Sequence, residues 1–313
     1  MRIFMTGGTG LLGSRLVPHL LQAGHELQLL SRRPQPGFPP GCAAILGDPC
    51  QPGPWLESVA GCDAVIHLAG ASLFERRWRR NFKNLIRASR VESTLLLARK
   101  LADSPWRANG QPRNFLTASA TGYYGTDSLQ EFDENSPPGG DFLAGVCRDW
   151  EQATQPAQAA GVRVTHARLG LILDHTQGGL PRLGRPFYWF LGATLGDGRQ
   201  WVSWIHIEDA CRGILHCLNE QHPAGPYNLT APEPVTNWGL SKAIASAIRR
   251  PCWFTVPGWV LRLALGEAAS LLLQGQKVLP RKLVATGFDF QFADVSNALK
   301  NLLHRAGSNQ AQG

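Results

Sequence analysis

Gly7, Gly10 and Gly13 stand at three-residue intervals in "MTGGTGLLG" (5–13), directly after the strand-like "RIFMTG" and directly before the helix-like "LGSRLVPHLLQAG". That arrangement suits a pyrophosphate. The first glycine permits a tight turn, the second lets the backbone approach the phosphates, and the third lets the helix pack close to the sheet with its N-terminus aimed at the anion. The expected contacts are Gly7, Thr9, Gly10, Leu11, Leu12 and Gly13. Eighteen residues past Gly13 the next strand ends in Ser31-Arg32-Arg33. A site built for an unphosphorylated ribose would hold Asp or Glu there, whereas a guanidinium pairs with a 2′-phosphate. Ser31 and Arg32 therefore predict NADP rather than NAD.

The elements that must position this turn alternate through the first half: "ELQLLSR", "CAAILGD", "CDAVIHLAG", a long helical stretch around "NLIRASRVESTLLLARKLA", then "RNFLTAS". Alternation of this kind predicts an α/β fold, a doubly wound parallel (Rossmann) sheet, with a smaller C-terminal α/β substrate lobe. The expected divisions are a dinucleotide-binding domain over 1–174, a substrate lobe interleaved with the core over 175–249, a C-terminal module over 250–300 and a frayed tail over 301–313. "VRVTHARLGLIL" (162–173) reads as one strand, and Thr236-Asn237 as a helix start.

Composition narrows the classes. The 313 residues are 43% apolar, enough for a sizeable core, and 31 Lys and Arg against 23 Asp and Glu leave a formal charge of +8. A basic balance favours an anionic partner, but no zinc-finger, basic-zipper or RNP pattern accompanies it, so nucleic acid is not expected. Seven cysteines without a CxxC pair imply a reducing, cytoplasmic setting and no metal site. The longest apolar run, 259–275, is interrupted by Arg262 and Glu267 and reads as a packed amphipathic helix rather than a membrane span. No membrane partner is expected, only a small-molecule substrate; no motif encodes that substrate's identity or the oligomeric state.

These residues resemble the extended short-chain dehydrogenase/reductase family. "TGGTGLLG" is similar to its TGxxGxxG fingerprint, Asp48 in "LGD" to its adenine-contacting Asp, and Leu68-Ala69-Gly70 in "HLAG" to the turn beside the nicotinamide ribose. "TASATGYYG" (117–125) resembles the strand end that delivers the family's active-site Ser, here Ser119. Arg168 in "RLG" and "WIHIED" (204–209) look like elements lining the cofactor and substrate lobe. A closer likeness, carried by "SATGYYG", Trp78, Lys83, Ile86, Ser89 and Arg90, "GDGRQWVSWIHIED", "NLTAPEPVTN" and "GQKVLPRKLVATGFDF", is to an atypical epimerase-family subgroup with a C-terminal module of unknown role.

The resemblance also implies a Tyr and, four residues on, a Lys at the start of the helix after the fifth strand; the Lys lowers the Tyr pKa so that the phenol serves as acid or base. "DFLAGVCRDWE" (141–151), whose Asp141 is placed to cap that helix, supplies neither. One register puts Phe142 and Val146 in those places; the other, anchored on Glu151, puts Leu143 and Cys147 there. Cys147 reads as a buried thiol. Substitutes for the missing acid are Tyr123 and Tyr124, or a water held by Ser119, and Ser119 and Tyr123 are the expected catalytic pair. His206 reads as a structural or acid residue, His67 as structural, Asp209 as a cap of the next helix. Arg168, Arg199 and Lys83 could gather around an anionic substrate, with Trp201 and Trp204 as a stacking wall. Two functions stay open: an NADP-dependent oxidoreductase or epimerase with a non-standard acid, and a non-catalytic NADP(H)-binding redox sensor or regulator. A DNA- or membrane-surface role is a remote third.

Overall fold

Unbroken apolar runs such as Ile3–Met5 and Ala64–Ile66 belong to strands covered on both faces, and both are fully buried. The computed structural model describes residues 1–34 and 38–310. The chain runs β1 (Arg2–Thr6), α1 (Leu11–Gln22), β2 (Glu26–Ser31), β3 (Cys42–Leu46), α2 (Leu56–Ala60), β4 (Ala64–His67), α3 (Arg80–Ala102) and β5 (Asn114–Ala120). A 3-10 turn (Thr121–Tyr124) leads to β6 (Asp127–Phe132), α4 (Phe142–Gln152), α5 (Gln155–Ala159), β7 (Arg163–Leu169) and β8 (Leu171–Leu173). Then come α6 (Gly179–Tyr188), β9 (Gly192–Leu195), β10 (Trp201–Val202), β11 (Trp204–His206), α7 (Ile207–Leu218), β12 (Gly225–Leu229), β13 (Val235–Thr236) and α8 (Asn237–Ile248). The last stretch holds β14 (Cys252–Val256), α9 (Gly258–Leu265), a second 3-10 turn (Gly266–Ala269), α10 (Ser270–Leu273), β15 (Gln276–Val278), α11 (Arg281–Ala285) and α12 (Val295–Gln310).

Seven strands form one parallel sheet in the order β12-β7-β5-β4-β1-β2-β3. This is the doubly wound α/β fold. Ile3 and Met5 pack with Leu16 and Leu20 of α1 and Ile214 of α7 on one face, while Phe4 packs with Leu97 and Leu101 of α3 and Ala157 of α5 on the other. Each such Ile, Leu, Met or Phe side chain contributes about 1.5–3 kcal/mol by leaving water. The strand order reverses between β1 and β4, and the crevice beyond their C-terminal ends is where such sheets bind ligands.

Several local expectations change. The single strand expected over 162–173 breaks at Gly170, where the chain passes so close to Ser203 that a Cβ would sit 2.5 Å from its carbonyl oxygen; β8 leaves the main sheet and pairs with β11. The sheet takes its seventh strand, β12, from within 175–249. The run 259–275 is not one packed helix: Gly266, at φ +65°, ends α9, and no residue of α9 is buried. The frayed tail expected from 301 starts too early, since Leu302 is buried with Leu299 in the α12 face that packs into the core; residues 311–313 lie outside the described residues. No helix among the described residues is long and apolar enough to cross a membrane, and no cluster of His, Cys, Asp and Glu there could hold a metal ion.

The C-terminal segment is woven into the core. β15 pairs with β6, the Ser203 hydroxyl donates to the Gln276 carbonyl and accepts from Val278 N–H, and the Asn228 amide donates to the Leu279 carbonyl. Asp209, fully buried, accepts from the N–H groups of Gln291 and Phe292 at 3.0 and 2.9 Å, and from Arg212 at 3.2 Å. The expected helix cap at Asp209 is therefore supplied by another residue: His206 is the N-cap of α7, with Nδ1 accepting from Glu208 N–H. The His206 ring stacks on Phe292 with 3.8 Å between centroids.

Candidate functional site

At the end of β1, Gly7 has φ +76°, and a Cβ there would lie 2.7 Å from the Leu68 carbonyl carbon and 2.8 Å from Ala69 N. At Gly13 a Cβ would lie 2.1 Å from the Gly7 carbonyl oxygen. Only glycine fits either position. Gly10 is the N-cap of α1, with no side-chain cap and no acidic residue in the first turn, so the helix N-terminus presents its amides and partial positive charge without a competing protein anion. Thr9 is exposed, Leu11 half-buried and Leu12 buried. These features fit a pyrophosphate.

The adenosine end is assembled from β2 and the turn after β3. Ser31 pairs in register with Leu46, and Gly47 N–H donates to the Ser31 carbonyl, which brings the Asp48 turn beside Ser31. Asp48 accepts from Cys50 N–H, and the Ser31 hydroxyl donates to the Arg33 carbonyl. Arg32 and Arg33 are exposed. On the other side of β1, the Leu68–Gly70 turn is tied down: Ala69 N–H donates to Thr6 Oγ1, and Arg90, beside Gly70, donates to the Ala71 carbonyl. His67 is buried, its Nδ1 2.6 Å from Thr6 Oγ1 and its Nε2 2.9 Å from Ser93 Oγ. Ser93 donates to the Ser89 carbonyl, so Nε2 carries the proton and Nδ1 accepts from Thr6. Burial, helped by the Arg90 charge, pushes its pKa down to about 3. His67 is a neutral structural group.

The second half of the site is a row across three strands. Ser119 on β5, Arg168 on β7 and Asn228 on β12 are direct register partners, so a parallel sheet sets them side by side at its C-terminal edge. Glu151 of α4 closes the row: Ser119 Oγ donates to Oε1 at 2.7 Å, Arg168 Nε donates to Oε1 at 2.8 Å, and the Arg168 guanidinium donates to Oε2 at 2.8 Å. Arg168 also donates to the Tyr124 hydroxyl at 2.9 Å, and that hydroxyl donates to Asn228 Oδ1 at 2.6 Å. Burial raises the Tyr124 pKa to about 12 against the opposing pull of Arg168. Tyr124 is locked and protonated. Tyr123 differs: half-buried, it lies under the guanidinium, 3.6 Å from its ring centroid, and lines a cavity of about 520 Å³ with Glu151, Arg148, Gln152, Gln155 and Gln158.

Helix α4 begins where Asp141 Oδ1 accepts from Ala144 N–H. Because Glu151 faces Ser119, residues four and eight back on the helix share that face. Cys147 and Leu143 are the nearest side chains to Gly122 of the 3-10 turn, whereas Phe142 and Val146 pack on Trp78 and Phe82 beside α3. Leu143 and Cys147 thus lie towards the 3-10 turn, Leu143 also touching the Trp78 cluster, and neither register of α4 offers a Tyr or a Lys. Burial first, then the Glu151 charge, raises the Cys147 thiol to about 12.

Arg168, expected at the cofactor or around an anionic substrate, is 3% exposed and engaged by Glu151, Tyr124 and the Glu134 carbonyl; with those partners its charge is used inside the protein. It does not gather with its expected companions. Lys83 pairs with Glu267 over the Phe142 ring, and Arg199 is exposed in a turn where Asp197 accepts its N–H. Trp204 is core, donating to the Glu233 carbonyl; Trp201 donates to the Ser128 carbonyl beside Lys277. Asn228 and Glu151 are the residues that sequence reasoning did not single out for the site. Glu151 had a signal, eight residues past Leu143 on one helix face; Asn228 had none, since only the register of β12 on β7 gives it a place.

The fold and this edge define an NAD(P)-type epimerase/dehydratase architecture. Residues 3–142 match the NAD dependent epimerase/dehydratase family, and residues 256–302 match a domain of unknown function, DUF1731. The chain is 37% identical over 98% of its length to the epimerase family protein ML0860 of Mycobacterium leprae, covering 97% of that protein. It is 36% identical over 97% of its length to the chloroplastic epimerase family protein SDR39U1 homolog of Arabidopsis thaliana, covering 87% of it. The crystal structure of human epimerase family protein SDR39U1 (isoform 2) with NADPH superposes with a TM-score of 0.85 at 31% identity, covering 97% of this chain and 99% of that one. The chain belongs to the epimerase family, in the group that carries the DUF1731 segment.

Proposed function

We propose that the protein binds NADP(H) and acts as an oxidoreductase or epimerase on a small-molecule substrate without a Tyr/Lys pair. The observation that carries the cofactor half is the glycine cradle, in which Gly7 and Gly13 leave no room for a Cβ beside an uncapped helix N-terminus. Gly7, Thr9, Gly10, Leu11, Leu12 and Gly13 would hold the pyrophosphate, Ser31, Arg32 and Asp48 the adenosine end, and Leu68, Ala69 and Gly70 the nicotinamide ribose. The human relative crystallised with NADPH supports the same choice of cofactor. Arg32 and Arg33, at a strand end with no acidic residue, favour the extra phosphate.

When bound, the cofactor supplies a hydride donor or acceptor. The chain supplies position. The Ser119 hydroxyl donates its hydrogen bond to Glu151, which leaves the Ser119 oxygen lone pairs to accept from a substrate hydroxyl. Tyr123 is the phenol available as an acid, because the Tyr124 hydroxyl is taken by Arg168 and Asn228. Seven cysteines without a disulfide suit a reducing compartment, and this reading puts the protein in the cytoplasm.

Leu143 and Cys147 favour a second reading, a nucleotide-binding sensor without turnover. Calorimetry with NADPH and NADH on the wild type and on Gly7→Ala tests the cofactor; the expected result is heat from NADPH with the wild type alone. Loss of reduced-nicotinamide absorbance with a panel of small carbonyl compounds, diminished by Ser119→Ala or Tyr123→Phe, supports the enzyme. Tight binding with no turnover supports the sensor, and no heat with either nucleotide overturns both.

A further inference from the structure

The C-terminal lobe carries a surface that neither the cofactor cleft nor the Ser119 row uses. Trp189, Trp253 and Trp259 are 72%, 75% and 66% exposed, where indole rings are ordinarily covered. Phe190, Phe254 and Leu263 lie open beside them in sequence and are half or more exposed. The segments meet: β14 pairs with β9, setting Cys252 against Gly192 and Phe254 against Ala193, and the Arg250 guanidinium lies 4.7 Å from the Phe190 ring centroid. α9 leaves the end of β14 two residues later. Its main chain is held by Arg77, which donates to the Leu263 and Ala264 carbonyls, and Leu265 packs beside Trp78, while Trp259 and Leu263 remain uncovered. Phe190 has φ +61°, a left-handed conformation that strains a bulky residue and that a turn would otherwise give to Gly or Asn.

Charge says what covers it. Segments 179–191 and 237–266 contain two and four Lys or Arg and no Asp or Glu. Arg182, Arg185, Lys242, Arg249, Arg250 and Arg262 are all exposed. Indole rings that seat at the headgroup level, interleaved with unopposed guanidinium groups, match a lipid surface bearing anionic headgroups. A second copy meeting the same face would set these cations against one another, which disfavours self-association. We infer that this face docks the protein on an anionic phospholipid bilayer, lying on the surface without crossing it.

Co-sedimentation of the full chain with vesicles tests this. Expected is pelleting with phosphatidylcholine–phosphatidylglycerol vesicles and not with phosphatidylcholine alone, reversed by high salt. Trp253→Ser with Trp259→Ser, and separately Arg249→Glu with Arg250→Glu, should each lower the bound-to-free ratio about tenfold or more. All four side chains are exposed, so the fold should survive, and the salt dependence of the wild type needs no variant. Failure to pellet with the anionic vesicles overturns the inference, as does pelleting that both variants retain. A concentration-dependent dimer abolished by the tryptophan substitutions, without vesicle binding, overturns it in favour of self-association.

Discussion

The Ser119 hydroxyl donates to Glu151 across 2.7 Å, and the same carboxylate takes a two-pronged contact from Arg168. One side chain from α4 thus holds both the buried Ser119 hydroxyl and the buried cation beside it. Removing that carboxylate leaves a guanidinium at 3% exposure without its counter-charge. Glu151→Gln should therefore cost about 3–5 kcal/mol of stability, the range for breaking a buried pair from one side. Urea unfolding of the two proteins measures it, and a loss within experimental error would show the pair to be dispensable.

Arg32 sets the preference between the two reduced nucleotides in the proposed function. Arg32→Ala should weaken NADPH by about 1.5–3 kcal/mol, as for a lost charge-assisted hydrogen bond, and leave NADH unchanged. Calorimetric dissociation constants for both nucleotides check it; parallel weakening of the two would place Arg32 elsewhere than on the 2′-phosphate.

His67 makes stability depend on acid. Its folded pKa, about 3, lies below the ordinary value of 6.5, so between those values the unfolded chain binds the proton and the folded one does not. The stabilisation is complete above pH about 6.5 and is lost as the pH falls towards 3, by up to about 1.4 kcal/mol per unit. Unfolding free energies at stepped pH should show this slope, and His67→Gln should flatten it. An identical slope in the variant would assign the acid sensitivity to carboxylates instead.

Asp209 tethers the segment 288–294 by two main-chain N–H groups. Asp209→Ala leaves both part-buried donors without their acceptor and should cost about 1–3 kcal/mol. Amide exchange at Gln291 and Phe292 should accelerate far more than in β1 or β4. Uniform acceleration across the sheet would mean that the tether stabilises the whole fold rather than this segment.

What could be read in advance follows from distance along the chain. The glycine cradle is legible because Gly7, Gly10 and Gly13 stand within seven residues of chain between one strand and one helix, and strand-helix alternation announces the sheet. The Ser119–Arg168–Asn228 row is not, because it depends on which of the fifteen strands among the described residues lies beside β7, and β12 lies some sixty residues on. Asp209 looks like a cap since acidic residues begin helices; only the fold brings Phe292 to it. The apolar run of α9 looks like core for an equally plain reason. Hydrophobicity says that a segment prefers to leave water, and says nothing about whether protein or another phase receives it.

The position of β12 has a consequence for biosynthesis. A nascent chain that has emerged only through Leu173 carries six of the seven parallel strands, with the main-chain edge of β7 bare and Arg168 lacking the Asn228–Tyr124 connection. Such an edge is a template for pairing with other chains. Ribosome-bound intermediates between Leu173 and Leu229 are the stage at which aggregation, or capture by a chaperone, competes most strongly with completion of the native protein.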